Sequence, residues 1–228
     1  MTTLLLELFK GTGSFSKVFK EYGYTVISLD IEPKFNPTIC CNLLDWDYKA
    51  LNIIPDVITA SVPCNSFSCA GACHHLRDYK TMKPLKPIAF IGDKLLNKTL
   101  EIIDYYKTLN PKLKWIIENP RGTIQKMECL KDKEFVLTHY YLYGSNLFKP
   151  TLFFNNFGLM LRDRKDYPNL KHTKLVKNVP LLERYKIPEL LIRDIINRIE
   201  YCMLKEINME LKEIVLKLET LRSGVGVL

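Results

Sequence analysis

Four short apolar runs dominate the first half of the chain, with amphipathic stretches between them. "TLLLELF" (3–9) reads as a buried strand, "SFSKVFKEYG" (14–23) as a helix ended by Gly23, and "YTVISLDI" (24–31) as a β-branched second strand. "DVITASV" (56–62) is a third strand, "NKTLEIIDYYKTL" (97–109) has helical spacing and stops before Pro111, and "KWIIEN" (114–119) is a fourth strand. This β-α-β-β-α-β order argues an α/β fold, a mostly parallel sheet with helices on both faces. Ligands of such sheets sit at the carboxyl ends of the strands, so chemistry is sought there.

From 120 to 185 the pattern blurs. "FVLTHYYLYG" and "PTLFFNNFG" read as strands, and "LRDRKDYPNLKHTKLVKN" as a polar basic loop. Beyond Pro188 a long helix is predicted to about Arg222. Leu204, Ile207, Leu211, Ile214, Leu218 and Leu221 recur along it at 3-4 spacing. The stripe lasts fewer than three heptads, so packing on its own domain and pairing in a homodimer both remain open.

Composition narrows the class. With 228 residues and 47% hydrophobic content, the chain can bury a substantial core. The leading apolar run, Leu4 to Phe9, is too short to span a bilayer and has no signal-peptide layout. A soluble, intracellular protein without a membrane partner is expected. The seven cysteines are odd in number within a large Lys-rich chain, which favours reduced thiols over a disulfide scaffold. A net charge of +8 suits polyanionic partners through counterion release, or else describes a solvated lysine-rich surface.

Four strand ends carry candidate chemistry. In "LELFKGTGSFSKVF" (6–19), Gly11 and Gly13 allow a tight turn and close approach of a ligand, with Thr12 between them and Ser14 as expected N-cap. Asp30 closes the second strand 17 residues past Gly13, placed to accept hydrogen bonds from a ribose. The third glycine of a dinucleotide fingerprint is missing, so S-adenosylmethionine (SAM), which has no pyrophosphate, suits this loop better than NAD. In "CNLLDWDY" (41–48), Asp45 is placed to accept from an adenine amine beside Trp46, or simply to start a helix. Cys64 follows Pro63 just past the third strand, with Ser66 and Ser68 after it; it reads as a nucleophile or as a small buried hydrophobe. Local N–H groups and cations are expected to lower its thiol pKa. Glu118 emerges at the end of the fourth strand, followed by Asn119, Pro120 and Arg121, as a proton-holding carboxyl or a turn cap. Cys64, Cys69, Cys73, His74 and His75 fall within twelve residues, but the spacing matches no common zinc pattern, so no metal is expected. His74, His75 and Arg77 read as a loop over the site.

Taken in order, these segments resemble the DNA cytosine-5 methyltransferase family. "LELFKGTGSF" is similar to its motif I, "LDIEP" to motif II, "CNLLDWD" to motif III, "VPCNSFS" to the Pro-Cys-Gln-x-Phe-Ser motif IV and "ENPRG" to the Glu-Asn-Val motif VI. The resemblance covers residues 4 to about 122. Asn65 stands where Gln is usual and Pro120 where Val is usual, and no clear motif VIII or motif X is present. "HYYLYGSNLFKPTLFFNN" (139–156) and "GDKLLNKTLEII" (92–103) resemble small methylase-like proteins of phages and large DNA viruses.

The resemblance implies a Rossmann-like SAM-dependent methyltransferase sheet. It implies a catalytic domain over 1–156, a reduced target-recognition segment over 157–187, and a C-terminal helix over 188–228. SAM would be bound by Phe9, Gly11, Thr12, Gly13, Ser14, Phe15, Asp30, Ile31, Asp45, Trp46 and Pro63. Cys64, Glu118 and Arg121 would be catalytic. Ser66, Ser68, Arg77, Lys149, Arg162 and Arg164 would contact DNA, with Lys149 a stand-in for the missing motif VIII arginines. The implied reaction is methyl transfer to C5 of a flipped-out cytosine through a Cys64 adduct, in the host cytoplasm or nucleus if the source is viral. Two rivals remain: the same chemistry on RNA or a nucleotide, and a non-catalytic SAM- or DNA-binding module.

Overall fold

A computed structural model describes residues 3–68, 75–78, 80–172, 174–175 and 178–224. In chain order the elements are β1 (Leu4–Leu8), α1 (Ser14–Glu21), β2 (Thr25–Asp30), β3 (Ile39–Cys40), β4 (Val57–Ser61), α2 (Pro87–Leu109) and β5 (Lys114–Pro120). They continue with β6 (Phe135–His139), β7 (Leu147–Phe148), β8 (Pro150–Asn155), β9 (Lys174–Leu175), α3 (Leu181–Tyr185) and α4 (Glu189–Gly224).

Seven strands form one sheet in the order β3-β2-β1-β4-β5-β8-β6. The first five are mutually parallel, and β8 runs antiparallel to both β5 and β6. Strands covered on both faces must be apolar on both, hence their near-continuous hydrophobic runs. Leu5, Val57, Ile116 and Phe153 point to a core shared with Phe15, Val18 and Phe19 of α1 and Leu191, Ile192, Ile195 and Ile196 of α4. Their neighbours Leu6, Ile58, Ile117 and Phe154 point to the opposite core, shared with Leu96, Ile102, Ile103 and Tyr106 of α2. The α/β class, the parallel sheet covered on both faces and the long final helix are as the sequence predicts.

Three local expectations change. Helix α2 begins at Pro87, ten residues before the predicted start. Proline is accepted in a first helical turn, where its missing N–H has no partner to lose. The buried positions Ala89, Gly92, Leu96, Thr99, Ile103 and Tyr106 do keep helical spacing, but exposed Ile88, Phe90 and Ile91 hide it in the sequence. "FVLTHYYLYG" is a strand only to His139; Tyr140–Tyr143 wind into a buried 3-10 turn, released by Gly144 in the left-handed region. Helix α1 is capped by Gly13, not Ser14.

Helix α4 changes character along its length. Leu191, Ile192, Ile195, Ile196 and Ile199 are fully buried, whereas Leu204, Ile207, Leu211, Ile214 and Leu218 are at least half exposed. Among the described residues, no helix is long and apolar enough to cross a membrane.

Candidate active site

The loop after β1 is held in a strained shape. Phe9 lies in the left-handed region (φ 59°), which a residue with a side chain adopts only under outside constraint. The constraint is visible: the Lys10 N–H donates to the Leu29 carbonyl (3.0 Å), and the Lys10 ammonium donates to the Phe35 (2.8 Å) and Asn36 (2.6 Å) carbonyls. Gly11, also left-handed, gives its N–H to Asp30 Oδ2 (2.7 Å), while Oδ1 accepts from the Glu32 N–H (2.9 Å). Asp30 therefore ties the glycine loop to the end of β2, and its remaining lone pairs are what a ribose would meet.

Because Gly13 has no side chain to cap α1, the first-turn N–H groups of that helix are offered to an anion. A cavity of about 830 Å³ opens there, lined by Thr12, Gly13, Ser14 and Lys17 on one side and by Tyr143–Leu147, 178–180, Glu183 and 186–190 on the other. Ser14 Oγ accepts the Ile187 N–H (3.1 Å), which pins the segment before α4 onto the loop. Asp30, Ile31, Asp45 and Trp46 do not line this cavity. Ile31 is 61% exposed, an apolar side chain open to a ligand ring at the end of β2. Asp45 is exposed and accepts from the Asn42 amide (2.9 Å), and Trp46 is partly buried against the core. Phe15, expected to touch a cofactor, is instead 1% exposed and packs in the core beside Phe19, because it lies on the inward face of α1.

Cys64 and Glu118 come from neighbouring parallel strands. Ser61 of β4 is paired with Glu118 of β5, so both residues sit at one carboxyl edge. Cys64 opens a 3-10 turn after Pro63, and its carbonyl accepts the N–H groups of Phe67 (3.0 Å) and Ser68 (2.9 Å). The strand ends are cross-tied: the Asn119 amide donates to the Val62 carbonyl (2.7 Å), and Thr123 gives both its N–H (2.6 Å) and its hydroxyl (3.1 Å) to the Phe67 carbonyl. Gly122 makes this possible, since a Cβ there would run into the Phe67 carbonyl oxygen.

Behind the thiol lies a buried polar group. The Tyr140 hydroxyl donates to Glu118 Oε1 (3.2 Å), and the Lys149 ammonium stands 3.7 Å from the same oxygen. Lys149 also donates to the Arg184 carbonyl (2.9 Å) and sits 4.6 Å above the Tyr140 ring. Burial holds the Tyr140 pKa well above its ordinary value, so the residue acts as a neutral hydroxyl. The Cys64 thiol is pushed up, mainly by burial and then by the Glu118 charge, against a smaller pull from Lys149. This reverses the expected lowering: the nearby cation is real, but desolvation outweighs it.

The residues expected to face nucleic acid divide into two groups. Arg77 is 2% exposed; it donates through Nε to the Ser66 carbonyl (3.1 Å) and through Nη2 to Ser66 Oγ (3.2 Å), and it pairs with Asp93. Ser66 is likewise buried, and Lys149 is 8% exposed. These three buttress the Cys64–Glu118 edge, which explains why they are not at the surface. Ser68 forms a bridge with Gly122. Arg121 and Arg164 are exposed, and Arg162 is half-buried, donating to the Leu142 carbonyl (2.9 Å) with Asp194 3.6 Å away.

Cys69, Cys73 and His74 lie outside the described residues. Among the described ones, no group of three or more His, Cys, Asp or Glu side chains is arranged to hold a metal, and Cys40, Cys41, Cys64, Cys129 and Cys202 are free thiols. Two residues escaped the sequence reading. Tyr140 belongs to a recognisable "YYLYG" segment, but only the 3-10 turn aims it at Glu118. Glu7 sits mid-strand in an apolar run, buried and hydrogen-bonded by the Ser16 hydroxyl.

No protein-family model matches the sequence, and no curated protein matches it. Solved structures do. The Dnmt2 methyltransferase of S. pombe aligns at 14% identity and a TM-score of 0.48, over 78% of this chain and 58% of that one. The Entamoeba histolytica methyltransferase EhMeth aligns at 14% and 0.44, over 77% and 58%. A Spodoptera frugiperda DNMT2 mutant aligns at 15% and 0.42, over 77% and 54%. The chain thus spans less than two thirds of the length of each of these proteins.

Proposed function

We propose that this chain is a SAM-dependent methyltransferase acting on C5 of cytosine in DNA, with Cys64 as the covalent nucleophile. The observation that carries the reading is that Cys64, just past Ser61, and Glu118, which pairs with Ser61, share one carboxyl edge, with Tyr140 and Lys149 aimed at the carboxylate. Residues next to the glycine loop fit the cofactor: uncapped N–H groups of α1 for its carboxylate, Asp30 for its ribose, and exposed Ile31 with Asp45 and Trp46 for its adenine. SAM supplies an electrophilic methyl group carried on a sulfonium.

The protein's own residues do the rest. Cys64 gives up its thiol proton to water and adds through sulfur to C6 of a flipped cytosine, and the C5–C6 electron pair moves onto C5, which becomes nucleophilic. A proton shared between Glu118 and N3 neutralises charge that builds on the ring. Tyr140 and Lys149 hold Glu118 in place for this. C5 takes the methyl group as the methyl–sulfonium bond breaks, leaving a neutral thioether; the C5 proton then leaves to water and the electron pair returns to expel Cys64 as thiolate. Arg121 and Arg164 supply exposed positive charge for phosphates. In 157–187 the described elements are one 3-10 turn, the two-residue β9 and the short α3, which supports a reduced recognition segment of the phage and large-virus type.

Trapping tests the reading. Duplex DNA carrying 5-fluorocytosine blocks loss of the C5 substituent, so incubation with SAM is expected to leave a denaturation-resistant protein–DNA adduct that Cys64→Ala abolishes. An adduct on RNA or a nucleotide alone would move the substrate. Failure on all three, with SAM binding intact, would leave a binding module.

A further inference from the structure

Beyond Ile199 helix α4 touches the body along one flank, through Cys202, Met203, Glu206 and Glu210, and its apolar stripe continues. Leu204, Ile207, Leu211, Ile214 and Leu218 remain at least half exposed. Two of the contacts with the body lie elsewhere on its circumference. The Cys202 thiol donates to the Phe157 carbonyl (3.4 Å) and Glu206 pairs with Lys114. At 100° per residue both are turned by more than about 100° from the stripe. Met203, packed on the core, and Glu210, paired with Lys112, lie nearer the stripe, so it runs beside the body while its own side chains remain open to a partner.

We propose that the partner is a second copy of this chain, bound antiparallel along the distal half of α4. One register brings the whole stripe together. Leu211 falls opposite Ile214 of the second copy and Ile207 opposite Leu218, each pair occurring twice about the two-fold axis; the same register carries Leu204 to helical position 221. The Leu211–Ile214 and Ile207–Leu218 layers each set a leucine of one helix against an isoleucine of the other. Charge selects the direction. In the antiparallel register Glu210 lies beside Lys217 of the second copy, again twice. In a parallel pair Lys217 would face Arg222 of the second copy, and Glu210 would face Val215. Glu210 also pairs with Lys112 of its own body, so Lys217 of the second copy would share a carboxylate that already has one cation. Such self-complementarity is what a closed two-fold dimer requires. The pairing does not depend on the chemistry proposed above.

Sedimentation of the full chain over a range of concentrations tests the inference. A monomer–dimer equilibrium is expected, and Leu211→Asp with Ile214→Asp should abolish it without lowering the melting temperature of the monomer, since both side chains are exposed. Lys217→Glu and Glu210→Lys should each weaken the dimer about tenfold, because each places two like-charge pairs across the axis. The double variant, or a mixture of the two single variants, should restore it. A chain that stays monomeric throughout, or a dimer that survives the two aspartates, would overturn the assignment of this surface. Strengthening by Lys217→Glu would overturn the antiparallel arrangement, since only in a parallel dimer would the introduced carboxylate face Arg222.

Discussion

Cys64 has surroundings that pull in opposite directions. Burial and the Glu118 carboxylate hold the proton on sulfur, and Lys149 favours its release. Removing the cation in Lys149→Met should raise the thiol pKa further, and neutralising the carboxylate in Glu118→Gln should lower it. The rate of Cys64 alkylation by iodoacetamide, followed against pH by mass spectrometry, reads this directly: the first variant should move the midpoint up and the second down. Midpoints unmoved in both would remove Lys149 and Glu118 as its electrostatic partners. Glu7 makes a second prediction. Burial raises its pKa from 4.5 to about 7 in the folded protein. The unfolded state therefore releases this proton first as pH rises. The stability tied to protonated Glu7 is complete below pH 4.5 and is lost progressively up to about pH 7, by about 3 kcal/mol in all. Glu7→Gln keeps a neutral group there, so its unfolding free energy should be flatter across that interval and exceed that of the parent above it. Neither residue's environment is legible in sequence. Cys64 can be located from "VPC", but its desolvation depends on what two other strands bring beside it.

At the scale of elements, two glycines hold the Cys64–Glu118 edge together, and they differ in tolerance. A Cβ at Gly122 meets backbone, the Phe67 carbonyl, which cannot move without shifting the Cys64 turn. A Cβ at Gly92 meets the Ser66 hydroxyl, a side chain able to rotate away at the expense of its bond from Arg77. Gly122→Ala should cost about 1–3 kcal/mol and most of any activity, and Gly92→Ala less of both, by denaturant unfolding and adduct yield. Along α4 the contrast is sharper: Ile195→Ala should cost about 2–5 kcal/mol, whereas Ile214→Ala should leave monomer stability nearly unchanged, since only the first is buried. Periodicity alone foretold the α4 helix and its stripe, because 3.6-residue spacing is a local property. It misplaced the start of α2, where the apolar face turned to solvent blends with the one turned to the core.

Across the whole molecule the net charge of +8 favours binding to polyanions, with a logarithmic salt dependence whose slope counts phosphate contacts. Arg164 is exposed, so Arg164→Ala should weaken DNA binding for all sequences and reduce that slope by about one. Arg162 is tied to Leu142 and Asp194, so Arg162→Ala should act more on stability than on the slope. Equal slope changes in the two variants would show that burial does not separate their roles.

The order β1, α1, β2, β4, α2, β5, the glycine loop, the Pro-Cys and Glu-Asn strand ends and the final helix were legible in local sequence, whereas the short β3, β9 and α3 were not. Period, turn chemistry and backbone preference act over a few residues and need no partner. What only the tertiary structure decided is which side chains share a dielectric and which meet across the sheet. Inserting β8 between β5 and β6 brings Lys149 and Tyr140, far along the chain, to Glu118. The same packing takes Arg77, Ser66 and Phe15 out of reach of a ligand by burying them. Burial and long-range pairing are properties of the assembled sheet, and the pKa of Cys64 follows from them.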